Sequence, residues 1–348
     1  LRGMPLASGD SALPVLAFEV EEGSIATGDH GMFELVSGKL RLENVHLQMS
    51  TGQVPISDDL AILRVQAGDV QLLRLESCVL TLENGLSDAA RVAFVDVVAP
   101  ELDDPQRPSV LPIVLDRCIV RGGANMIRMR KSVPVKVDWQ NGLLATTERL
   151  LVADGADRPS DNPITLSLAN LTVSSGLGLC RLRDFDSQPF QPALHLECVK
   201  CVISAGSSPL VEHDGVGSAD KYRDALRILG DRNFYEGVTD FWRVSLNGER
   251  REDLNWDWDV WSKKEVARGG MDSARQMIRW KRSRGYVPTT EPHVVGLDDF
   301  LPDLEPDNPT MNPDGSPSSG FDWRELPPIY RVAPPEESEE TSPAPSAL

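Results

Sequence analysis

Apolar and polar positions alternate with a period of two through short stretches of this chain, and five of those stretches share one pattern. They are Leu40-Arg-Leu42-Glu-Asn44-Val45-His-Leu47, Leu73-Arg-Leu75-Glu-Ser77-Cys78-Val-Leu80, Ile113-Val-Leu115-Asp-Arg117-Cys118-Ile-Val120, Leu166-Ser-Leu168-Ala-Asn170-Leu171-Thr-Val173 and Leu194-His-Leu196-Glu-Cys198-Val199-Lys-Cys201. Each is apolar–any–apolar–any, then a position that is usually small or polar, then apolar–any–apolar. Period-two alternation marks a strand with one buried face. The break at Asn44, Ser77 and Asn170 predicts a corner. A residue there that tolerates left-handed geometry turns the chain, and its side chain can bond the neighbouring coil. Two inward-facing strands joined by such a corner are most of one coil of a parallel β-helix.

A third strand per coil is predicted at Phe33–Val36, Ile62–Val65, Arg91–Val97, Met126–Arg130, Leu177–Leu182 and Leu210–Glu212, with glycines such as Gly68 and Gly206 at the turns. The repeats begin 33, 40, 53 and 28 residues apart, counted from Leu42 to Leu75, Leu115, Leu168 and Leu196. The 53-residue gap predicts a further coil around Val133 to Asp154. An antiparallel sandwich is the competing architecture. Asn-Gly hairpin dipeptides occur at Asn84-Gly85, Asn141-Gly142 and Asn247-Gly248, too few to favour it. The expected fold is therefore all-β: a right-handed parallel β-helix over 33–217 after a lead-in at 1–32.

This coil pattern resembles that of the pectin-lyase-like superfamily of right-handed parallel β-helices, over about 180 residues. Gly230-Asp-Arg-Asn-Phe-Tyr-Glu-Gly237, followed by Phe241-Trp242, is also similar to β-helical regions that follow the kinase domain and membrane anchor of some bacterial serine/threonine kinase proteins. That likeness implies an extracytoplasmic place, with the kinase and the anchor upstream of Leu1.

Beyond the coils the composition shifts. Six of seven tryptophans lie after Ser218, and residues 219–285 carry 15 Lys or Arg against 12 acids. Residues 218–297 are expected to hold the last coils, at Ala225–Leu229 and Phe241–Ser245, and a tryptophan-rich cap with helices at Trp258–Ala267 and Ser273–Arg284. Such a cap would cover the open end of the solenoid. The chain carries a net charge of −18, and residues 298–348 hold 12 acids against Arg324 and Arg331 together with 11 prolines. That composition predicts an acidic, proline-rich tail that is mostly disordered or loosely draped. The acidic balance also argues against nucleic acid as a partner. No apolar run is long enough to span a bilayer.

The candidate chemistry is sparse. In the β-helix register Cys78 and Cys118 are expected to stack inside with Val45, Leu171 and Val199, and Cys201 with Leu47, Leu80, Val120 and Val173. Cys198 falls at a corner, and Cys198-Val-Lys-Cys201 lacks the second pair that a zinc site needs. Hydrolases and calcium-dependent lyases of this fold class use converging carboxylates. The acidic pairs here, Asp58-Asp59, Asp103-Asp104 and Asp184 with Asp186, lie in loops. The five histidines, among them His46, His195 and His213, occupy unrelated frames and suit surface positions. No catalytic, metal or cofactor site is assigned. Trp139, Trp242, Trp256 and Trp258 are the candidate ligand-binding residues. The expectation is a non-catalytic module for binding or structural spacing, its partner a polysaccharide or a protein. A polysaccharide lyase or glycoside hydrolase is the alternative.

Overall fold

Seven residues take the left-handed conformation at the same place in successive coils: Asn44, Ser77, Arg117, Asn141, Asn170, Lys200 and Arg232, with φ between 45° and 53°. The computed structural model describes residues 13–20, 30–51, 59–85, 89–100, 110–266, 273–281, 291–303, 308, 310–311 and 318–329. Each of the seven residues turns the chain from one sheet face into the next. The corners lie 33, 40, 24, 29, 30 and 32 residues apart, so a coil needs at least 24 residues and the remainder is loop. The coil expected within the 53-residue gap is present, as the strands Val135–Thr146 and Leu151–Asp154.

Strands pair in parallel along three faces. The leading face comprises Gly38–Glu43, Val70–Glu76, residues 111–116, 135–140 and 164–169, Leu194–Val199 and Leu226–Asp231. Past the corners runs a second, shielded face: Val15–Glu19, His46–Ser50, Val79–Glu83, residues 118–122, 142–146 and 171–175, Val202–Ser204 and Phe234–Glu236. The third, charged face stacks His30–Leu35, Leu60–Gln66, Val92–Val98, Asn125–Met129, Leu151–Asp154, Cys180–Arg183, Val211–Gly215 and Trp242–Leu246. The molecule is thus a parallel β-solenoid, and like residues stack at the strand spacing of about 4.8 Å.

Inward side chains form columns along the axis. One column is Leu42, Leu75, Leu115, Trp139, Leu168, Cys198 and Gly230. The column after the corner is Val45, Cys78, Cys118, Gly142, Leu171, Cys201 and Asn233. This corrects the expected frame of the fifth repeat by two residues. Lys200, not Cys198, is the corner; Cys198 is a core residue, and Cys201 stacks with Leu171 rather than Val173. The error arises because Leu194, Leu196 and Cys198 all point inward, so period two alone cannot say which pair abuts the corner. All five cysteines are buried and none is in a disulfide. Burial pushes the Cys180 thiol up to about 12 and holds Cys118 well above its usual range, so both serve as small apolar fillers.

The last coil ends in aromatic packing. Phe241 stacks on Trp261 with centroids 4.0 Å apart, and Tyr235 meets Trp261 edge-on at 5.5 Å. Trp261 belongs to the helix Trp258–Val266, the first of the two helices expected in the cap. The second, Ser273–Arg284, is not helical in its described part. Ala274–Arg275 is a short strand in register with Phe234–Tyr235. The unpaired edge of the last coil supplies partners there: Ala274 N–H donates to Asn233 O at 2.8 Å and Gln276 N–H to Tyr235 O at 3.0 Å. Edge pairing overrides the helical spacing of Ala274, Met277 and Ile278.

The acidic segment after Asp298 drapes over the solenoid in its described part. Its described residues from Asp298 onward do not hang free: Phe300, Phe321, Leu326 and Ile329 are buried against Val79, Ile119 and Leu143 on the outside of the shielded face. The expectation for residues 330–348 lies outside the described residues.

Candidate functional site

Buried ionisable groups on the charged face are bound to one another. Arg64, Asp96 and Arg128 follow in one outward column, and Arg181, Glu212 and Arg243 in its continuation. Arg128 reaches Asp96 at 2.9 Å and Asp59 at 3.3 Å with all three side chains below 10% exposed. Arg149 meets Glu212 at 2.8 Å, Arg181 meets Asp214 at 3.0 Å and Arg183 meets Asp154 at 2.7 Å. Desolvation lowers the Arg149 guanidinium from its ordinary range, with Glu212 acting against that shift. Alternating signs at strand spacing lock neighbouring coils in register, a structural task.

The loop carboxylates of the sequence divide similarly. Asp59 belongs to the Arg128 and Arg130 pairs. Asp184 is buried and accepts hydrogen bonds from the Tyr222 hydroxyl at 2.7 Å and from Val216 N–H at 2.7 Å. Asp58, Asp103 and Asp104 lie outside the described residues.

Of the four candidate tryptophans, Trp139 is entirely enclosed among Leu115, Leu168 and Gly142. An aromatic platform for a ligand must face solvent, so Trp139 is a core residue and not a binding residue. Trp242 and Trp256 sit together at the C-terminal end. Trp256 N–H donates to Trp242 O at 2.9 Å, and their rings meet edge-on at 5.0 Å. Both are also largely buried, at 1% and 5% exposure, but their edges line a cleft. Trp258 is half-buried, packed against Tyr235 and Phe241 and away from that cleft.

The cleft has a volume of about 240 Å³ and is bounded by Ala219, Arg223, Trp242, Asp253, Leu254, Asn255, Trp256 and Val260. Three elements meet there: the strand Trp242–Leu246, the helix Ala219–Asp224 capped by Ser218, and the helix Trp258–Val266. Arg223 bonds Asp220 at 2.5 Å and Asp253 bonds Arg251 at 3.1 Å. Those contacts from Arg251 hold the Asp253 carboxyl below its usual range. Asn255 contributes an enclosed side-chain oxygen with no hydrogen-bond partner among the described residues. A ligand N–H or O–H would satisfy it. Sequence reasoning found two of the aromatic residues and missed Arg223, Asp253 and Asn255, whose meeting depends on how the last coil closes.

Beneath this cleft Trp242 Nε1 donates to His213 Nδ1 at 2.8 Å. His213 is 3% exposed, a correction to its expected surface position, because it occupies the inward column between Leu182 and Val244. Burial pulls its pKa down to about 3, so it is neutral and acts as an acceptor. His195 does face outward, with Thr165, Glu197 and Arg227 around a smaller hollow of about 150 Å³ on the leading face. Burial and the nearby Arg227 lower its pKa.

Among the described residues no group of three or more His, Cys, Asp and Glu side chains is arranged to hold a metal ion. None of the described helices is long and apolar enough to cross a membrane. Comparison with known proteins finds no matching family model, no matching curated protein and no matching solved structure.

Proposed function

We propose that this chain is a rigid, non-catalytic β-solenoid that binds a ligand at the cleft closing its C-terminal end, while the coils act as a spacer. The observation that carries this reading is the cleft itself. It joins two tryptophan edges, a guanidinium at Arg223, a carboxylate at Asp253 and the unsatisfied oxygen of Asn255. Mixed donors and acceptors over aromatic edges suit a hydroxylated ligand, and we favour a saccharide. The mutual pairing of the buried carboxylates and arginines of the charged face supports a scaffold more than acid–base chemistry, since a general acid or base must be unengaged at its substrate.

The likeness of the coil pattern to pectin-lyase-like proteins supports a carbohydrate ligand. The likeness around Gly230 to Gly237 supports an extracytoplasmic setting in a bacterium. The test is a glycan-array screen of the full chain with calcium and with EDTA, monitoring product release. Saturable binding without release, weakened at least tenfold in Asn255→Ala and Arg223→Ala, is the expected result. Release of unsaturated or reducing ends would replace this reading with the enzyme. Binding that both variants leave unchanged would move the site elsewhere, first to Thr165, His195 and Arg227.

A further inference from the structure

The outward position just past the first inward residue of the shielded face is His46, Val79, Ile119, Leu143, Thr172, Val202 and Phe234 in successive coils. A solvent-facing sheet surface carries polar residues in such a column, whereas five of these seven are apolar. Several stretches lie over them: Ile278 packs on Val202 and Phe234, Val295 and Phe300 join the cover of Val79, Ile119 and Leu143, and the C-terminal segment covers the rest. Phe321, Leu326 and Ile329 form one buried cluster with Val79, Ile119 and Leu143.

Its polar fastenings fall on the corner column and beside it. Gly320 N–H donates to Lys200 O at 2.8 Å and the Ser319 hydroxyl to Arg232 O at 2.7 Å. Asn141 grips the segment from both sides: its amide oxygen accepts from Asp322 N–H at 2.8 Å, and its amide N–H₂ donates to Asp322 O and Glu325. Phe321 N–H reaches the Thr172 hydroxyl at 3.4 Å.

We propose that the part of the shielded face around Leu143 and Thr172 is a peptide-docking surface, held in cis by residues 318–329, which can be vacated and then filled by the same segment of a second copy. Two features separate the segment from the coils it covers. It supplies no strand to the three faces, and the seven corners and inward columns are complete without it. Occupancy in cis rests on a high effective concentration, which a free peptide has to overcome. Exchange between copies needs no new contact, because the same residues meet in the same register.

The experiment uses the full chain and, as probe, a fluorescein-labelled peptide of residues 318–329. Phe321→Asp puts a charge into the apolar cluster and should empty the face. Fluorescence polarisation should show saturable peptide binding to this variant and at least tenfold weaker binding to the unaltered chain. Adding Asn141→Gly, which keeps the left-handed corner but removes the amide, should weaken peptide binding to the Phe321→Asp chain about tenfold. Far-UV circular dichroism of Phe321→Asp should retain the β signal. If that variant loses its β signal, the segment is an integral part of the fold and the proposal fails. It fails equally if the variant keeps its fold and binds no peptide, or binds it as well after Asn141→Gly.

Discussion

Gly142 stands where neighbouring coils place Cys118 and Leu171, and Trp139 where they place Leu115 and Leu168. The oversized ring and the missing side chain belong together. A Cβ on Gly142 would lie 2.2 Å from Trp139 Nε1, 2.9 Å from Cε2 and 2.6 Å from Cys118 O. Overpacking of this kind costs about 1–3 kcal/mol, and contact with a ring and a backbone oxygen that cannot yield places Gly142→Ala near the top, at about 3 kcal/mol. Trp139→Leu opens a cavity worth about 3 kcal/mol. It also removes an enclosed indole N–H with no partner among the described residues, which returns about 1 kcal/mol, for a net loss of about 2 kcal/mol. Independent effects would sum to about 5 kcal/mol. Because leucine vacates the space the new methyl needs, the double variant should lose only about 3 kcal/mol. Relief is incomplete because the contact with Cys118 O persists. The assay is urea unfolding followed by far-UV circular dichroism, which does not depend on the tryptophan removed, with the m-value unchanged across the four proteins. Additivity within about 0.5 kcal/mol would refute the argument that the two residues compensate.

Lys200 takes a left-handed φ of 53° that favours Asn or Gly, so Lys200→Asn should stabilise by about 0.5–1 kcal/mol; a lower urea midpoint would contradict the corner assignment. Arg128→Ala strands the buried Asp96 and leaves Asp59 only its contact with Arg130, and should cost about 3–5 kcal/mol. Arg41→Ala, whose side chain is 58% exposed beside Glu76, should cost under about 1 kcal/mol, and equal losses would overturn the distinction. His213 should make the protein acid-labile: its folded pKa of about 3 lies below the ordinary 6.5, so between these values the unfolded chain binds a proton that the folded one excludes. Stability then falls by about 1.4 kcal/mol per unit as pH drops through that window. His213→Leu should flatten this slope while lowering stability at pH 7, and an unchanged slope would assign the lability to other groups.

Much of the solenoid was legible because an inward strand position has no alternative but an apolar residue, and stacking repeats that demand at every coil. Asn44, Ser77, Arg117 and Asn170 all proved to be left-handed corners. The coil at Trp139 fits the same template, as Val137-Asp-Trp139-Gln-Asn141-Gly142-Leu-Leu144, yet its tryptophan suggested a ligand platform and its Asn-Gly a hairpin. Size complementarity between two positions three residues apart leaves no trace in periodicity. The Gly230–Gly237 stretch owes its unusual composition to the seventh corner, at Arg232. There Gly230 and Asn233 fill inward slots, and Asn233 bonds Cys201 N–H at 2.7 Å and Cys198 O at 2.7 Å. The end cleft was half legible: its tryptophans stand out by type, whereas Arg223 and Asn255 are ordinary residues until three elements converge.

The covered face shows where a repeat argument can be taken further. In the template the slot after the first post-corner residue accepts any side chain, and a face open to water should fill it with polar ones. Here five of seven such slots hold apolar residues, Val79, Ile119, Leu143, Val202 and Phe234, while the corresponding outward column of the leading face is Arg41, Arg74, Val114, Asp138, Ser167, Glu197 and Leu229, five of seven polar. Apolar residues recurring in an outward slot through five coils imply a second layer, since an apolar stripe of that length left in water invites association. The proline-rich composition of the chain after Asp298 conceals that layer. A segment that adds no strand needs no period, only scattered anchors such as Phe300, Phe321, Leu326 and Ile329. Composition measures whether a segment can fold on its own apolar content, and this one folds on the solenoid's.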